Sequence, residues 1–373
     1  MSPFLFRINQ PMTSTKLLTH GLLFSFFTHC AWSADTKLSI TLDSYSEPVS
    51  IHQFTRDWNG KFEGGHHAML HGRAELSHQD LQHEFALIWR YDYLIDFSED
   101  AAEVYNAYKK ELSPSLKKEY LGNLSASHTS ALGLRWAPKF HPANNLIIFP
   151  ALNLLKGKKL TEGSIQGITQ FIGAGFSGND IGDTSINISY HYDHPLIHER
   201  DLDWYPPSPV GYGASLDLRF IYKPIEASLI SLNLYDVIGE IYWKEVPKTL
   251  YDFSYTNKPK SFNLNGVLSI DDRFTQKLPM HGTFAADLRV QNKWHAGLSL
   301  QGDRYVWLAQ VYAGYQHNDW LTKILVEPQS QAFGVNIEHQ YFSLRWLSDS
   351  LKADQAHRLG LDASVRIPFG SKK

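Results

Sequence analysis

Arg358-Leu359-Gly360-Leu361-Asp362-Ala363-Ser364-Val365-Arg366-Ile367-Pro368-Phe369, close to the end of a 373-residue chain, alternates polar and apolar side chains. Leu359, Leu361, Ala363, Val365, Ile367 and Phe369 share one face, and Arg358, Gly360, Asp362, Ser364 and Arg366 share the other. A period of two marks a β-strand with unlike faces. In a soluble sandwich the apolar face is the core; in a membrane barrel it meets lipid, and the charged face lines the lumen.

Working back along the chain, the pattern repeats. Phe333, Val335 and Ile337 precede a tight turn near His339, which leads into Phe342, Leu344 and Trp346 with Ser343 and Arg345 between. Phe284, Ala286, Leu288 and Val290 alternate with Asp287 and Arg289; after a turn at Asn292, Trp294, Ala296, Leu298 and Leu300 alternate with His295 and Ser299. These are hairpins in series, an up-and-down meander. Leu216, Leu218, Phe220 and Tyr222 face away from Asp217 and Arg219, and Ile186, Ile188, Tyr190 and Tyr192 from Asn187 and His191. The longest alternating run is Phe85 to Phe97, with Arg90, Asp92 and Asp96 on its polar face. Its length suits a tilted membrane strand of about 9 to 11 residues per crossing, which leaves room for roughly 12 to 16 strands. The expected fold is all-β, an antiparallel up-and-down transmembrane β-barrel.

One stretch departs from this pattern. Ser98, Glu99 and Asp100 lead into Ala101, Val104, Tyr105, Tyr108 and Leu112 at helical spacing, with Lys109 and Lys110 at the far end. That is a capped helix matched to its dipole. Ser113-Pro114 reads as the start of a second helical piece through Leu116 to Tyr120. This insertion, near 98–121, is a structured loop, a plug in the lumen, a cap over one mouth, or a docking element from Ser98 to Tyr120 for an envelope partner.

Composition narrows the class. Aromatic residues make up 13% of the chain and charged residues only 20%, and the mean hydropathy is -0.30. No run of about 18 apolar residues follows the N-terminal segment, which excludes a helical membrane protein but not a barrel, whose alternating strands average to mild polarity. The net charge of -3, with scattered Lys and Arg, excludes a nucleic-acid footprint. Lys16, then Leu17 through Leu22, Leu23, Phe24, Phe26 and Phe27 to Ala31-Trp32-Ser33-Ala34, has the form of a cleaved signal peptide, with Met12 as an alternative start. The expected division is therefore 1–34 signal and 35–373 barrel. Cys30 is the sole cysteine and lies in that segment, and His29 before it argues against lipidation. Lipid supplies no hydrogen bonds to the backbone, so only a closed ring of strands crosses it. Trp294, Trp320, Trp346, Tyr222 and Tyr255, near strand ends, suit the two headgroup levels. The bacterial outer membrane is the expected location and its lipid an expected partner. A secreted β-sandwich or solenoid is the soluble alternative.

The ending Arg366-Ile367-Pro368-Phe369 resembles the C-terminal assembly signal of Gram-negative bacterial outer-membrane β-barrel proteins, an amphipathic last strand closing on an aromatic residue. The resemblance implies recognition of Phe369 by the barrel-assembly machinery during biogenesis. The chain departs from the commonest form because Gly370-Ser371-Lys372-Lys373 follow the Phe and Pro368 removes one ladder donor. The hairpin texture is also similar to that of fatty-acid-channel and conjugation-associated barrels.

Several constellations bear on chemistry. Asp217 with Arg219 and Asp287 with Arg289 place opposite charges on one strand face, directed inward. With Arg90, Asp92, Asp96, Arg345, Asp362 and Arg366 they form an expected lumenal ionic network, which stiffens the wall or sets ion preference. His191, Asp193, His194, His198, Glu199, Asp201 and Asp203 concentrate metal-ligating groups before Pro206-Pro207 without a zinc spacing; His66, His67 and His71 are a weaker set, with His67 and His71 on one face. Gly173 to Gly178 spells a nucleotide fingerprint without a βαβ context and reads as a turn. Ser189 with His191, and His128 with Ser130, share strand faces as chance pairs do, and Ser177 lacks the second glycine of a nucleophile elbow. No catalytic residue, metal or cofactor is assigned. The expected function is a channel or transport component of the envelope; an accessory barrel for secretion or envelope assembly and a lipid-modifying enzyme acting through His191 or His128 are the alternatives.

Overall fold

The computed structural model describes residues 34–369 except 57, 117 and 292. The expected signal segment up to Ser33, the turn residue Asn292 and the tail after Phe369 therefore lie outside the described residues. Along the chain run β1 (Ala34–Ser46), α1 (Ile51–Phe54), β2 (His67–Gln79), β3 (His83–Phe97), α2 (Glu99–Lys109), β4 (Glu119–Pro138), β5 (Phe140–Ala143), β6 (Leu146–Phe171) and β7 (Ile181–Tyr192). There follow β8 (Val210–Tyr222), β9 (Ser228–Asn257), β10 (Lys260–Lys277), β11 (His281–Gln291), β12 (Trp294–Asp303), β13 (Trp307–His317), β14 (Trp320–Glu327), β15 (Ala332–His339), β16 (Phe342–Ser348) and β17 (Arg358–Phe369).

All pairings are antiparallel, and β17 returns to β1 in register from Ala34 opposite Phe369 to Tyr45 opposite Arg358. Some segments are parts of one strand. β7 stops at Tyr192 opposite Thr161 and β8 resumes at Gly211 opposite Gly157, so 193–209 leaves the sheet and the chain re-enters it. β10 and β11 both run along β9, and β5 belongs to the turn between β4 and β6. The seventeen segments thus close as a fourteen-stranded barrel, within the range read from the chain. Ring closure pairs each strand on both sides, which removes the open sheet edge that lipid cannot tolerate.

The wall is uneven in height. β9 has 30 residues and β6 has 26, whereas β16 has seven. The run expected to be longest, Phe85 to Phe97, is β3, of 15 residues. The longer strands escape a search for alternation because their phase changes partway. At Lys158 β6 gains a residue, with Ala131 opposite Gly157 and Ser130 opposite Lys159. At Glu245, where φ is 53°, the β9 phase also changes: Trp243 and Val246 are buried in the same cluster. Bulges of this kind bend a strand and re-aim its side chains.

The outer face is apolar around the ring. Leu38 and Ile40, Phe85 and Leu87, Leu132 and Leu134, Leu152 and Leu154, Ile324 and Val326, and Val365 and Ile367 are all exposed. Such a band is far larger than a soluble monomer leaves in water and is what a bilayer covers. Both ends of the chain's barrel lie at one rim, where turns are tight, such as Asn318-Asp319 between β13 and β14; the opposite rim carries 47–66, 98–118 and 349–357. Tyr222, Trp294 and Trp320 sit at the terminus-end rim, Trp346 near the loop end of β16, and Tyr255 on the tall part of β9.

α2 does not enter the lumen. Ser98 caps it by accepting from Ala101 N at 3.2 Å, and Ala102 packs with Trp58, Ala68, Ile95 and Phe97. Ile95 and Phe97 share the face of Phe85 and Leu87, so this packing is on the outer wall near the loop end. Lys118 lies 2.6 Å from Asp100 and 2.9 Å from Glu103; the hydrogen bonds to Asp100 and then Glu103 hold its pKa above the usual lysine value. The second helical piece expected from Ser113 to Tyr120 does not form. Glu111 adopts φ 54° just past the helix, and Glu119 and Tyr120 already belong to β4, whose ladder with β6 satisfies their backbone. A second insertion also lies outside: in 193–209, Leu196, Ile197 and Trp204 cover Tyr190 and Tyr192, and Trp204 Nε1 donates to Tyr192 Oη at 2.8 Å.

Inside the tall half, Ala86, Ile88, Ala131, Leu155, Leu160, Ile241 and Val246 pack around Trp243. The indole lies over Gly157 and Gly211, where a Cβ on either would collide with it, and its Nε1 donates to Gln276 Oε1 at 3.2 Å. W243A should cost about 3–5 kcal/mol, as for other buried aromatic truncations. G157A and G211A should each lower the thermal midpoint in detergent, and adding W243F should recover part of the loss.

Candidate functional site

The inward faces converge on a charged interior. From β3, Arg90 and Asp92 are 3% and 4% exposed, and Arg90 bonds Asp92 at 2.7 Å and Asp236 at 2.7 Å. Asp236 stands on a bulge of β9 at φ 53°, a conformation Asp tolerates better than most residues. Its backbone N donates to Asp217 Oδ1 at 3.0 Å. Asp217 in turn meets Arg73 at 3.2 Å, and Arg73 pairs with Glu75. Toward the terminus end Arg135 reaches Glu75 at 3.2 Å, and Arg219 bonds Glu84 at 3.1 Å while lying over the ring of Phe149.

The short-stranded side holds separate groups. Asp287 accepts from His295 at 2.9 Å, Lys323 at 3.2 Å and Tyr312 at 3.0 Å. Arg345 pairs with Asp362 and lies 3.2 Å from Gln310 Oε1. Near the loop end Arg358, fully buried, bonds Asp43 and Glu327. At the same end Tyr45 and Val306 pack against the buried Met69, Leu94 and Leu308 on the inward face.

Among the ten charges expected in the lumen, Arg90, Asp92 and Asp217 join one network. Arg219, Asp287, Arg345 and Asp362 sit in neighbouring ones. Arg289 and Arg366 lie on the inward face at the exposed terminus end, Arg366 3.9 Å from Asp35; Asp96 lies opposite His67 near the loop end. Phe369 ends β17 opposite Ala34. Arg73, Glu75, Arg135, Asp236 and Glu327 were not singled out from sequence, and Arg358, read onto the polar face of the last strand, was left out of the expected network. Arg358 was readable, since it opens the very strand that decides the fold. Asp236 was not, because its bulge puts it on the wrong face of an alternating count.

Two neighbouring cavities occupy the short-stranded side. One, of about 390 Å³, opens at the terminus end between Lys37, Tyr341 and Arg366; the other, of about 360 Å³, lies deeper beside Arg73, Arg90 and Lys323. Both are lined by Asn336, Glu338, Arg345 and Asp362, which stand between them.

Among the described residues the histidine-rich segment does not gather its ligand types around one point. His191 points into the barrel, bonds Asp271 at 2.9 Å and stacks on Phe274, while Asp193 takes His194 and Lys159 on the outside, and Glu199 is buried accepting from Ile197 N. Neither His191 nor His128 hydrogen-bonds a serine or threonine hydroxyl among the described residues. His71, Asp92 and His281 bring donor atoms within 4.8 Å of one another. Their geometry opposes a shared ion: Asp92 is already engaged by Arg90, and the rings of His71 and His281 stack at 14°, so their in-plane lone pairs do not converge.

Removing one member of a buried ionic group leaves the others uncompensated, at about 3–5 kcal/mol. R90A, which strands Asp92 and Asp236, should therefore destabilise the barrel by that amount in urea titrations, whereas R289A at the exposed rim should change little.

No protein-family model matches the chain, and no curated protein matches it. Among solved structures it is similar to the toluene transporter TodX of Pseudomonas putida, at 9% identity over 91% of each chain with a TM-score of 0.41. It is also similar to a deltaS2 mutant of the TodX monoaromatic hydrocarbon channel, at 8% identity over 91% of this chain and 90% of that one with a TM-score of 0.39. A Pseudomonas aeruginosa FadL homologue matches at 8% identity over 90% and 89%, with a TM-score of 0.29. At these scores the likeness extends to neither substrate nor site residues.

Proposed function

We propose that the chain is exported, inserted into the bacterial outer membrane by the barrel-assembly machinery on a signal ending at Phe369, and acts there as a channel or transport component for small polar solutes. The observation that carries this reading is the succession of two cavities from the terminus-end mouth to mid-barrel, separated by side chains that include the ion-paired Arg345 and Asp362. A barrel serving only as an anchor needs no such cavities, and water in them screens the charges that line them. At the loop end the inward-facing Met69–Leu94–Leu308 cluster and the buried Arg358 take up lumenal space, so the resting pore is narrow there. Opening is then a matter of displacing a few side chains, not a folded plug.

The mouth carries Lys37, Arg345 and Arg366 against Glu338 and Asp362, three cations to two carboxylates, which favours anions weakly. In planar bilayers the protein should conduct with a modest anion preference. R366E should reverse that preference, and the double variant M69A/L308A should raise single-channel conductance. Absence of conductance in both the native protein and the double variant would reject the channel reading.

A further inference from the structure

Most of β10 lies beyond the closed ring. The strand it forms with β11 meets β12 only along β11, where His281 stands opposite Asp303 at the loop end of β12. From Lys260 to Lys277 its ladder is with β9 alone among the described residues. β10 has 18 residues, so at about 3.4 Å each its second edge runs free for roughly 60 Å. In an antiparallel strand successive residues turn their N–H and C=O groups to alternate sides. Half of those of β10 therefore face away from β9, and from Ser261 to Gln276 none of them bonds another backbone group among the described residues.

Sheet proteins blunt an exposed edge with charge, proline, a bulge or a covering element. The stretch Ser261-Phe262-Asn263-Leu264-Asn265-Gly266-Val267-Leu268-Ser269-Ile270 uses none of these. It holds no charged residue and no proline, its register with β9 is unbroken, and Ser261 to Val267 are all exposed. The protecting residues stand at its ends instead, Pro259 and Lys260 before it and Asp271, Asp272 and Arg273 after it. Its two faces differ. A Cβ on Gly266 would meet the ring of Tyr251, which packs with Tyr190 and Tyr192 on the outer wall. Phe262, Leu264, Leu268 and Ile270 therefore continue the apolar outer face, and Asn263, Asn265 and Ser269 share the inner face with Val267.

We propose that Ser261 to Ile270 is a docking edge for an extended segment of another envelope protein, which adds to β10 as an antiparallel strand and continues the sheet. In strand addition the main-chain hydrogen bonds give affinity and alternate side chains give specificity. The segment that fits alternates apolar side chains, set beside Phe262, Leu264, Leu268 and Ile270, with small polar ones beside Asn263, Asn265 and Ser269. It carries an acidic residue near Lys260 and a basic one near Asp272. A second copy of this chain does not fit: copies in one membrane share an orientation, so their β10 strands run in the same sense and cannot pair antiparallel. The edge is available whether or not the lumen conducts.

A free peptide escapes that restriction, and the sequence from Lys260 to Asp272 is its own antiparallel complement about Gly266. Lys260 then falls opposite Asp272, Phe262 opposite Ile270 and Leu264 opposite Leu268. The labelled peptide should bind the folded barrel in detergent saturably at one site, read by fluorescence anisotropy. N-methylation of alternate peptide residues should abolish binding in one phase and spare it in the other, because only one phase faces β10. N265K/V267K, which puts charge on the edge, should weaken binding by about tenfold, and R289A at the far rim should leave it unchanged. Every variant is first shown to retain the native heat-dependent gel shift, so lost binding is not lost folding. In intact cells a photo-crosslinking residue in place of Asn263 should give an adduct with a different protein, and N265K/V267K should remove it. No saturable binding of the peptide, equal loss from both methylation phases, or a cellular adduct made only of two copies of this chain would overturn the proposal.

Discussion

Closure of β17 on β1 is the constraint on which the rest depends. Its register, from Ala34 opposite Phe369 to Tyr45 opposite Arg358, converts a long meander into a ring. Once closed, every strand of the ring has two neighbours, and alternation assigns every side chain to lipid or lumen. The same strand that supplies Val365 and Ile367 to the exterior therefore supplies Arg358 and Asp362 to the interior. Apolar outside and charged inside are a single consequence of one pairing.

The interior shows what a barrel of fourteen strands does with enclosed space. The tall half fills it with a hydrocarbon core around Trp243, and the remainder is filled by arginines and carboxylates that satisfy one another. Burying these charges is expensive, and their mutual attraction offsets the expense only if geometry and further hydrogen bonds are good. The Asp236 bulge has this purpose: it delivers a carboxylate to Arg90 and a backbone N–H to Asp217 at once. What stays open are two off-centre cavities beside the short strands.

Much of this was legible in the chain because period-two alternation has a direct physical cause. The terminal strand, the hairpins around His339, the helix capped by Ser98 and the inward charges Arg90, Asp92, Asp217 and Arg345 all follow from local pattern. Three features did not. The full length of β6 and β9 is concealed by phase changes at Lys158 and Glu245, where one residue moves every later side chain to the opposite face. The side of the wall that an insertion packs against depends on contacts distant in sequence: the apolar residues of α2 fit a plug as well as they fit Ile95 and Phe97. The approach of His67 and His71 to Asp303, at 3.4 and 3.7 Å, joins residues more than two hundred positions apart, and spacing alone left these histidines a weak pair.

The central claim is that this chain closes into a membrane-embedded barrel. It is tested most directly by gel mobility of the protein from sarkosyl-insoluble membranes, compared with and without boiling. A folded barrel resists detergent at room temperature and migrates differently from its boiled form; that shift, in the insoluble fraction, is the predicted result. A soluble periplasmic protein with the same mobility before and after boiling would contradict the account.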